Sequence, residues 1–113
     1  MNVCVFGYSE NVEKYSHKAA LLLQEFHHDV FLINPRLESD FAKITKSANV
    51  HTLTLYVNAS ISDKYQDFLL EMGPKRVIFN PGTENYALQK KFETLGVDVV
   101  VGCTLVLLRT HQF

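Results

Sequence analysis

An apolar run, Val3-Cys4-Val5-Phe6, stops at Gly7-Tyr8-Ser9-Glu10-Asn11, and an amphipathic pattern opens near Tyr15. A strand, a one-glycine turn and a helix start are the parts of a phosphate cradle. Glycine lets the backbone approach a ligand closely, and the unpaired N–H groups of a first helical turn point at an anion. Tyr15, Ser16 and Lys18 stand at that helix start. Asn34-Pro35-Arg36 closes a second apolar run, and a cation there suits a phosphate better than a free diol. Cys103 is the one attractive nucleophile. Its simpler reading is a small buried apolar residue, since no histidine lies beside it and activation would need the helix expected to start there. Cys4 lies within a strand and reads as core. Of the five histidines, His27 and His28 are adjacent and His17, His51 and His111 have no ligand spacing, so no metal is expected.

The elements that must position these groups alternate along the chain. Tyr15, Ala19, Leu22, Leu23 and Phe26 fall on one helical face. Val30 to Ile33 reads as a second buried strand. Residues 37–49 carry a weaker pattern in which Phe41 and Ile44 mark a short helix. Leu53 to Val57 forms a third strand. Ile61, Tyr65, Phe68, Leu69 and Met72 lie on a helix capped by Ser60 and stopped at Gly73-Pro74. Val77 to Phe79 is a fourth strand, and Thr83 caps a helix carrying Leu88, Phe92 and Leu95. Val97 to Val101 is the fifth strand, and Thr104 to Leu108 a short closing helix.

Continuous apolar strands alternating with helices predict an α/β fold: a Rossmann-like, doubly wound, five-stranded parallel sheet with helices on both faces. The expected strand order is 3-2-1-4-5, and residues 1–113 form a single domain. In that order the switch point falls between the first and fourth strands, beside the loops Gly7–Asn11 and Asn80–Thr83. Asn34, Asn58 and Asn80 each follow a strand. Asn is a common turn former, yet three amides along one rim could hydrogen-bond a polar ligand.

Composition narrows the function classes. The chain has 113 residues, 47% of them hydrophobic, with 11 basic against 12 acidic residues and a net charge of −1. No basic excess points to nucleic acid, and the apolar runs are too short to span a membrane. No basic leader precedes the first strand, so no signal peptide is expected. A cytoplasmic protein with reduced thiols is the expectation. A dinucleotide site needs GxGxxG and an acidic residue after the second strand. Here Gly7 stands alone and Asn34 and Arg36 replace the acid, which disfavours NAD and leaves NADP open. A receiver domain needs an Asp after the third strand, where Asn58 stands. A flavodoxin needs a Ser/Thr-rich loop, where only Ser9 is present.

Longer segments carry a family resemblance. Gly7-Tyr8-Ser9-Glu10-Asn11, Tyr15-Ser16-His17-Lys18-Ala19, Asn34-Pro35-Arg36, the run from Pro74 to Asn85, and Cys103-Thr104-Leu105-Val106 with Gln112-Phe113 follow one another over nearly the whole chain. Together they resemble the small bacterial CoA-binding proteins, which share their fold with the N-terminal domain of the succinyl-CoA synthetase alpha subunit. The resemblance implies coenzyme A or an acyl-CoA as the ligand. It implies that the backbone of Gly7, Tyr8 and Ser9, beside Asn11, cradles the pyrophosphate, and that Tyr15, Ser16 and Lys18 lie near the phosphate-bearing end. Asn34, Pro35 and Arg36 would flank the adenosine. Asn80, Pro81 and Gly82, with Asn58 on the same rim, would border the pantetheine arm, with Cys103 near the thiol. The synthetase's phosphohistidine comes from a second domain, so ligase chemistry is not implied.

The reading is therefore a non-catalytic, regulatory binder of a small nucleotide-like molecule, with no nucleic-acid or membrane partner and no protein partner specified. An NADP- or acyl-CoA-dependent enzyme using Cys103 and an interaction module without a ligand are the alternatives. Glu10 and Glu13 place negative charge near the expected phosphate loop, which opposes an anion by repulsion.

Overall fold

The computed structural model describes residues 1–113, the side chain of Lys46 excepted. Five parallel strands form the sheet: β1 (Asn2–Phe6), β2 (Asp29–Ile33), β3 (Thr52–Leu55), β4 (Arg76–Phe79) and β5 (Asp98–Val101). The helices are α1 (Tyr15–Glu25), α2 (Ala59–Lys64), α3 (Gln66–Glu71), α4 (Tyr86–Thr94) and α5 (Thr104–Arg109). The α/β, doubly wound class is as expected.

The strand order is not the expected 3-2-1-4-5 but β2-β1-β3-β4-β5. β1 pairs with β2 on one side, Phe6 opposite Ile33, and with β3 on the other, Phe6 opposite Leu55. Centrality follows what each strand can bury. All four residues of β3 are buried, whereas β2 keeps Asp29 exposed and Val30, Phe31 and Leu32 partly so. Thr52 and Thr54 tolerate the interior because their hydroxyls are paired, Thr52 with Arg76 Nε at 3.1 Å and Thr54 with Thr104 Oγ1 at 2.7 Å. The chain leaves β1 for one edge and returns across it, so the switch point lies between β1 and β3 rather than beside β4.

Alternation along β1 serves two cores. Val3 and Val5 pack with Leu23 of α1 and Leu108 of α5 on one face. Cys4 and Phe6 join Ile33, Leu55, Leu69, Phe79 and Phe92 on the other. Each fully buried Phe or Leu contributes roughly 1.5–3 kcal/mol, so the second and larger cluster dominates the hydrophobic stabilisation.

Local expectations were met unevenly. Residues 37–49 form two 3-10 helices, Glu38–Lys43 and Lys46–Ala48, instead of one short helix. Phe41 anchors the first of them, with its ring 4.8 Å edge-on from Phe68 and 6.2 Å from Phe6. The helix expected through Ile61 and Met72 breaks at Tyr65 (φ −108°, ψ 18°), which packs on Phe6 and Phe41. Its cap is Asn58, accepting the Ile61 N–H at 3.1 Å, while Ser60 donates to the same oxygen at 2.7 Å. The α4 cap is Asn85, accepting the Leu88 N–H at 3.1 Å, and not Thr83, whose hydroxyl donates to the Asn80 carbonyl at 2.7 Å. At the end of α1, where glycine is the easiest residue, His27 takes the left-handed conformation at φ 65°. Among the described residues, no helix is long and apolar enough to cross a membrane.

Candidate functional site

A cleft of about 650 Å³ opens at the carboxyl ends of β1 and β3, at the switch point. Gly7 lets the two strand ends meet. At φ 100°, a Cβ on Gly7 would lie 2.8 Å from the Tyr56 carbonyl carbon and from Val57 Cγ1. The glycine therefore serves the close approach of two backbones, a role distinct from the ligand contact its position suggested.

Of the residues singled out in the sequence, Gly7, Tyr8, Ser9, Tyr15, Ser16, Asn34, Pro35, Arg36, Asn58, Pro81 and Gly82 all line the cleft. Asn11, Lys18, Asn80 and Cys103 do not. Asn11 is spent on its own loop, where its side chain accepts the Glu13 N–H at 3.0 Å. Lys18 extends over the Tyr15 ring, 5.7 Å from its centroid. Cys103 is half-buried just before α5.

Asn80 is a lock within the fold. Its Nδ2 donates to Thr54 Oγ1 at 2.7 Å and to the Leu55 carbonyl at 2.8 Å. Its Oδ1 accepts the Thr104 N–H and hydroxyl, both at 2.9 Å. Two donors and two acceptors are all that the amide has, so nothing is left for a ligand.

The first loop is also self-satisfied where the phosphate cradle was expected. The Gly7 and Tyr8 N–H groups both donate to the Ile33 carbonyl, at 2.8 and 3.0 Å. The Ser9 N–H donates to Ser16 Oγ at 3.1 Å. Anion-binding capacity sits one step further on. The eleven-residue α1 has no side-chain cap and no acidic residue in its first turn. The Tyr15 and Ser16 N–H groups meet no acceptor among the described residues. Lys14, which the sequence reading passed over, stands at the N-cap and lines the cleft. A lysine immediately before a first helical turn is the signal that could have found it.

The charge balance of the cleft is one-sided. Lys14 and Arg36 are its charged lining residues, and no carboxylate lines it. Glu13 faces away. Glu10 instead borders a smaller side cleft of about 390 Å³, with Asp40, Lys43, Tyr8 and Asn34. Asp40 is held there by accepting the Asn34 N–H at 2.9 Å and pairing with Lys43 at 3.1 Å. That N–H bond is the main reason its carboxyl titrates below the usual range.

Tyr56, also missed in the sequence, contributes an orphaned polar atom. It lines the cleft, yet its hydroxyl oxygen is buried with no hydrogen-bond partner among the described residues. Burial pushes its pKa up to about 12, with the Thr104 and Thr54 hydroxyls opposing part of the shift. Those hydroxyls are committed to each other and to Asn80. The neutral phenol therefore keeps its hydrogen inside the fold, on the side of Thr54 and Thr104 rather than facing the cleft.

Residues 1–109 match the family described as the CoA binding domain. The chain belongs to that CoA-binding domain family. Solved structures agree with the fold of this CoA-binding domain. An uncharacterised protein is 30% identical, with a TM-score of 0.85 over 99% of this chain and 97% of that one. A protein from Thermus thermophilus is 18% identical, with a TM-score of 0.84 over 99% of this chain and 90% of its own. A hypothetical protein from Pyrococcus horikoshii OT3 is 20% identical, with a TM-score of 0.81 over 97% and 82% respectively. At those identities the last two are likenesses of fold alone. No curated protein matches the chain.

Proposed function

We propose that the cleft binds coenzyme A or an acyl-CoA, and that the domain acts by binding rather than by catalysis. The observation that carries this reading is the cleft's charge and donor pattern: two cations, no carboxylate, and an uncapped helix start at the switch point. A pyrophosphate suits that pattern, because helix N–H groups and a basic side chain stabilise the same anion.

The Tyr15 and Ser16 N–H groups with Lys14 would hold the pyrophosphate, a displacement of the cradle from the Gly7–Ser9 amides. Arg36, Pro35 and Asn34 would meet the adenosine end. Asn58, Pro81 and Gly82 would border the pantetheine arm. Glu10 and Glu13 do not line the cleft, so their repulsion on a bound phosphate is weaker than the sequence implied. The reading of Cys103 as a nucleophile loses support, since neither Cys103 nor a histidine lines the cleft. Bound coenzyme A would supply a thiol for carrying acyl groups. A regulatory role, with acyl-CoA level as the signal, accords with a domain that binds without turnover.

Calorimetric titration with coenzyme A, acetyl-CoA and NADPH tests the reading. Saturable binding of the first two and none of the third supports it. Turnover of an acyl-CoA that disappears in Cys103→Ala would replace it with an enzyme.

A further inference from the structure

Tyr8 and Ser9, which line the cleft, form a small cluster with His17 of α1 behind them. His17 Nδ1 lies 3.1 Å from the Ser9 carbonyl oxygen and 3.2 Å from Tyr8 Oη. The two rings stack, with centroids 5.7 Å apart and planes 23° from parallel. Ser16, the preceding residue on α1, accepts the Ser9 N–H. Consecutive residues of the helix thus grip both the N–H and the C=O of Ser9.

One nitrogen serving two oxygens has a consequence for protons. A carbonyl oxygen can only accept, so the contact with Ser9 requires hydrogen on Nδ1. A protonated Nδ1 cannot accept from Tyr8. The Tyr8 hydroxyl must then turn a lone pair to the imidazole and its hydrogen elsewhere. No other acceptor meets that hydroxyl among the described residues. Tyr8 itself lines both the main cleft and the side cleft.

We propose that His17 is a positioning residue for the cleft: its Nδ1–H, fixed by the Ser9 carbonyl, presents the Tyr8 hydroxyl as a donor to an anionic oxygen of the bound ligand. The inference deepens the reading above and rests on it for the ligand. It does not rest on it for the tautomer.

Two measurements separate the two. Long-range proton–nitrogen NMR correlation on the unliganded, nitrogen-15-labelled protein in mildly alkaline solution reports the His17 tautomer. Hydrogen on Nδ1 is expected, and a neutral ring with hydrogen on Nε2 overturns the proposal. Calorimetry then follows coenzyme A. His17→Ala and Tyr8→Phe are each expected to raise Kd by about tenfold, the worth of one hydrogen bond to a charged oxygen. The double variant should lose no more than Tyr8→Phe alone, because both changes remove one donor. His17→Asn, which places an amide donor where Nδ1 stands, should restore Kd to within about twofold of the unaltered protein. Losses that multiply in the double variant, or His17→Asn failing as badly as His17→Ala, overturn the proposal. If the unaltered protein gives no heat with coenzyme A, it is the proposed ligand that fails, and the NMR result alone decides the His17 assignment.

Discussion

Asn80 and Thr104 are joined twice, through the Thr104 N–H and the Thr104 hydroxyl, both ending on Asn80 Oδ1 at 2.9 Å. With Thr54 they close a ring in which Asn80 Nδ2 donates to Thr54, Thr54 to Thr104, and Thr104 back to Asn80. The ring fastens the end of β4 to β3 and to the start of α5. Asn80→Ala strips partners from a buried carbonyl, a buried N–H and two hydroxyls, and is expected to lower stability by about 3 kcal/mol. Urea denaturation measures this. A loss within about 0.5 kcal/mol, the range of surface substitutions, would contradict the assignment.

Gly7 packs against Tyr56 as closely as a residue without Cβ can. Gly7→Ala combines a positive φ with a 2.8 Å clash against the Tyr56 backbone, and that atom cannot swing aside. A loss of roughly 2–4 kcal/mol is expected. Gly82→Ala is the control. It has φ 87° but nothing within 4 Å of the added carbon, so its loss should be about 1–2 kcal/mol. Equal losses at the two positions would remove the packing argument.

His27 holds a left-handed conformation that glycine adopts at little cost. His27→Gly should stabilise the protein by about 0.5–1 kcal/mol, after the greater backbone freedom of glycine in the unfolded chain is allowed for. Thermal melting followed by circular dichroism would show a small rise, and a fall would mean that the histidine has a compensating role.

The thiols should differ sharply. Cys4 is wholly buried in β1, and burial pushes its pKa up to about 12, whereas Cys103 is partly exposed. An aromatic disulfide reagent is expected to titrate one thiol in the native protein and a second only after denaturation. Two fast-reacting thiols in the native state would place Cys4 outside the core.

Alkaline pH should weaken the fold. Tyr56 and Cys4 both rise to about 12, from 10.0 and 9.0. The unfolded chain therefore releases their protons before the folded chain does. Their contribution to stability is complete below the unfolded values and is lost as pH climbs from about 9 towards 12. Urea midpoints across that range should fall with pH, and Tyr56→Phe should make the decline shallower. An unchanged slope would place the phenol in contact with water.

The fold class was legible because strand and helix periods alternate from Val3 to Leu108, broken only by the weak pattern of residues 37–49. The strand order was not. Val30 to Ile33 reads as the more apolar strand, yet β2 lies at an edge. Thr52-Leu53-Thr54-Leu55 alternates like a half-exposed strand, yet it is central, since its hydroxyls are satisfied by Asn80, Thr104 and Arg76. Such partners lie more than twenty residues away in sequence and leave no local periodicity. The cleft rim around Asn34, Arg36 and Asn58 could be read from strand ends. The turning of Asn80 into the core could not, because it depends on β3 lying beside β4, nor the occupancy of the Gly7–Ser9 amides, which rests on how the loop folds back on the Ile33 carbonyl and the Ser16 hydroxyl.

Calorimetric titration of the unaltered protein and of Arg36→Ala with coenzyme A, at low and moderate salt, tests the central claim most directly. Saturable one-to-one binding that weakens with salt is expected, with a Kd raised by about tenfold in Arg36→Ala, as loss of one charge-assisted contact implies. No binding by the unaltered protein, or binding indifferent to both salt and Arg36, would contradict it.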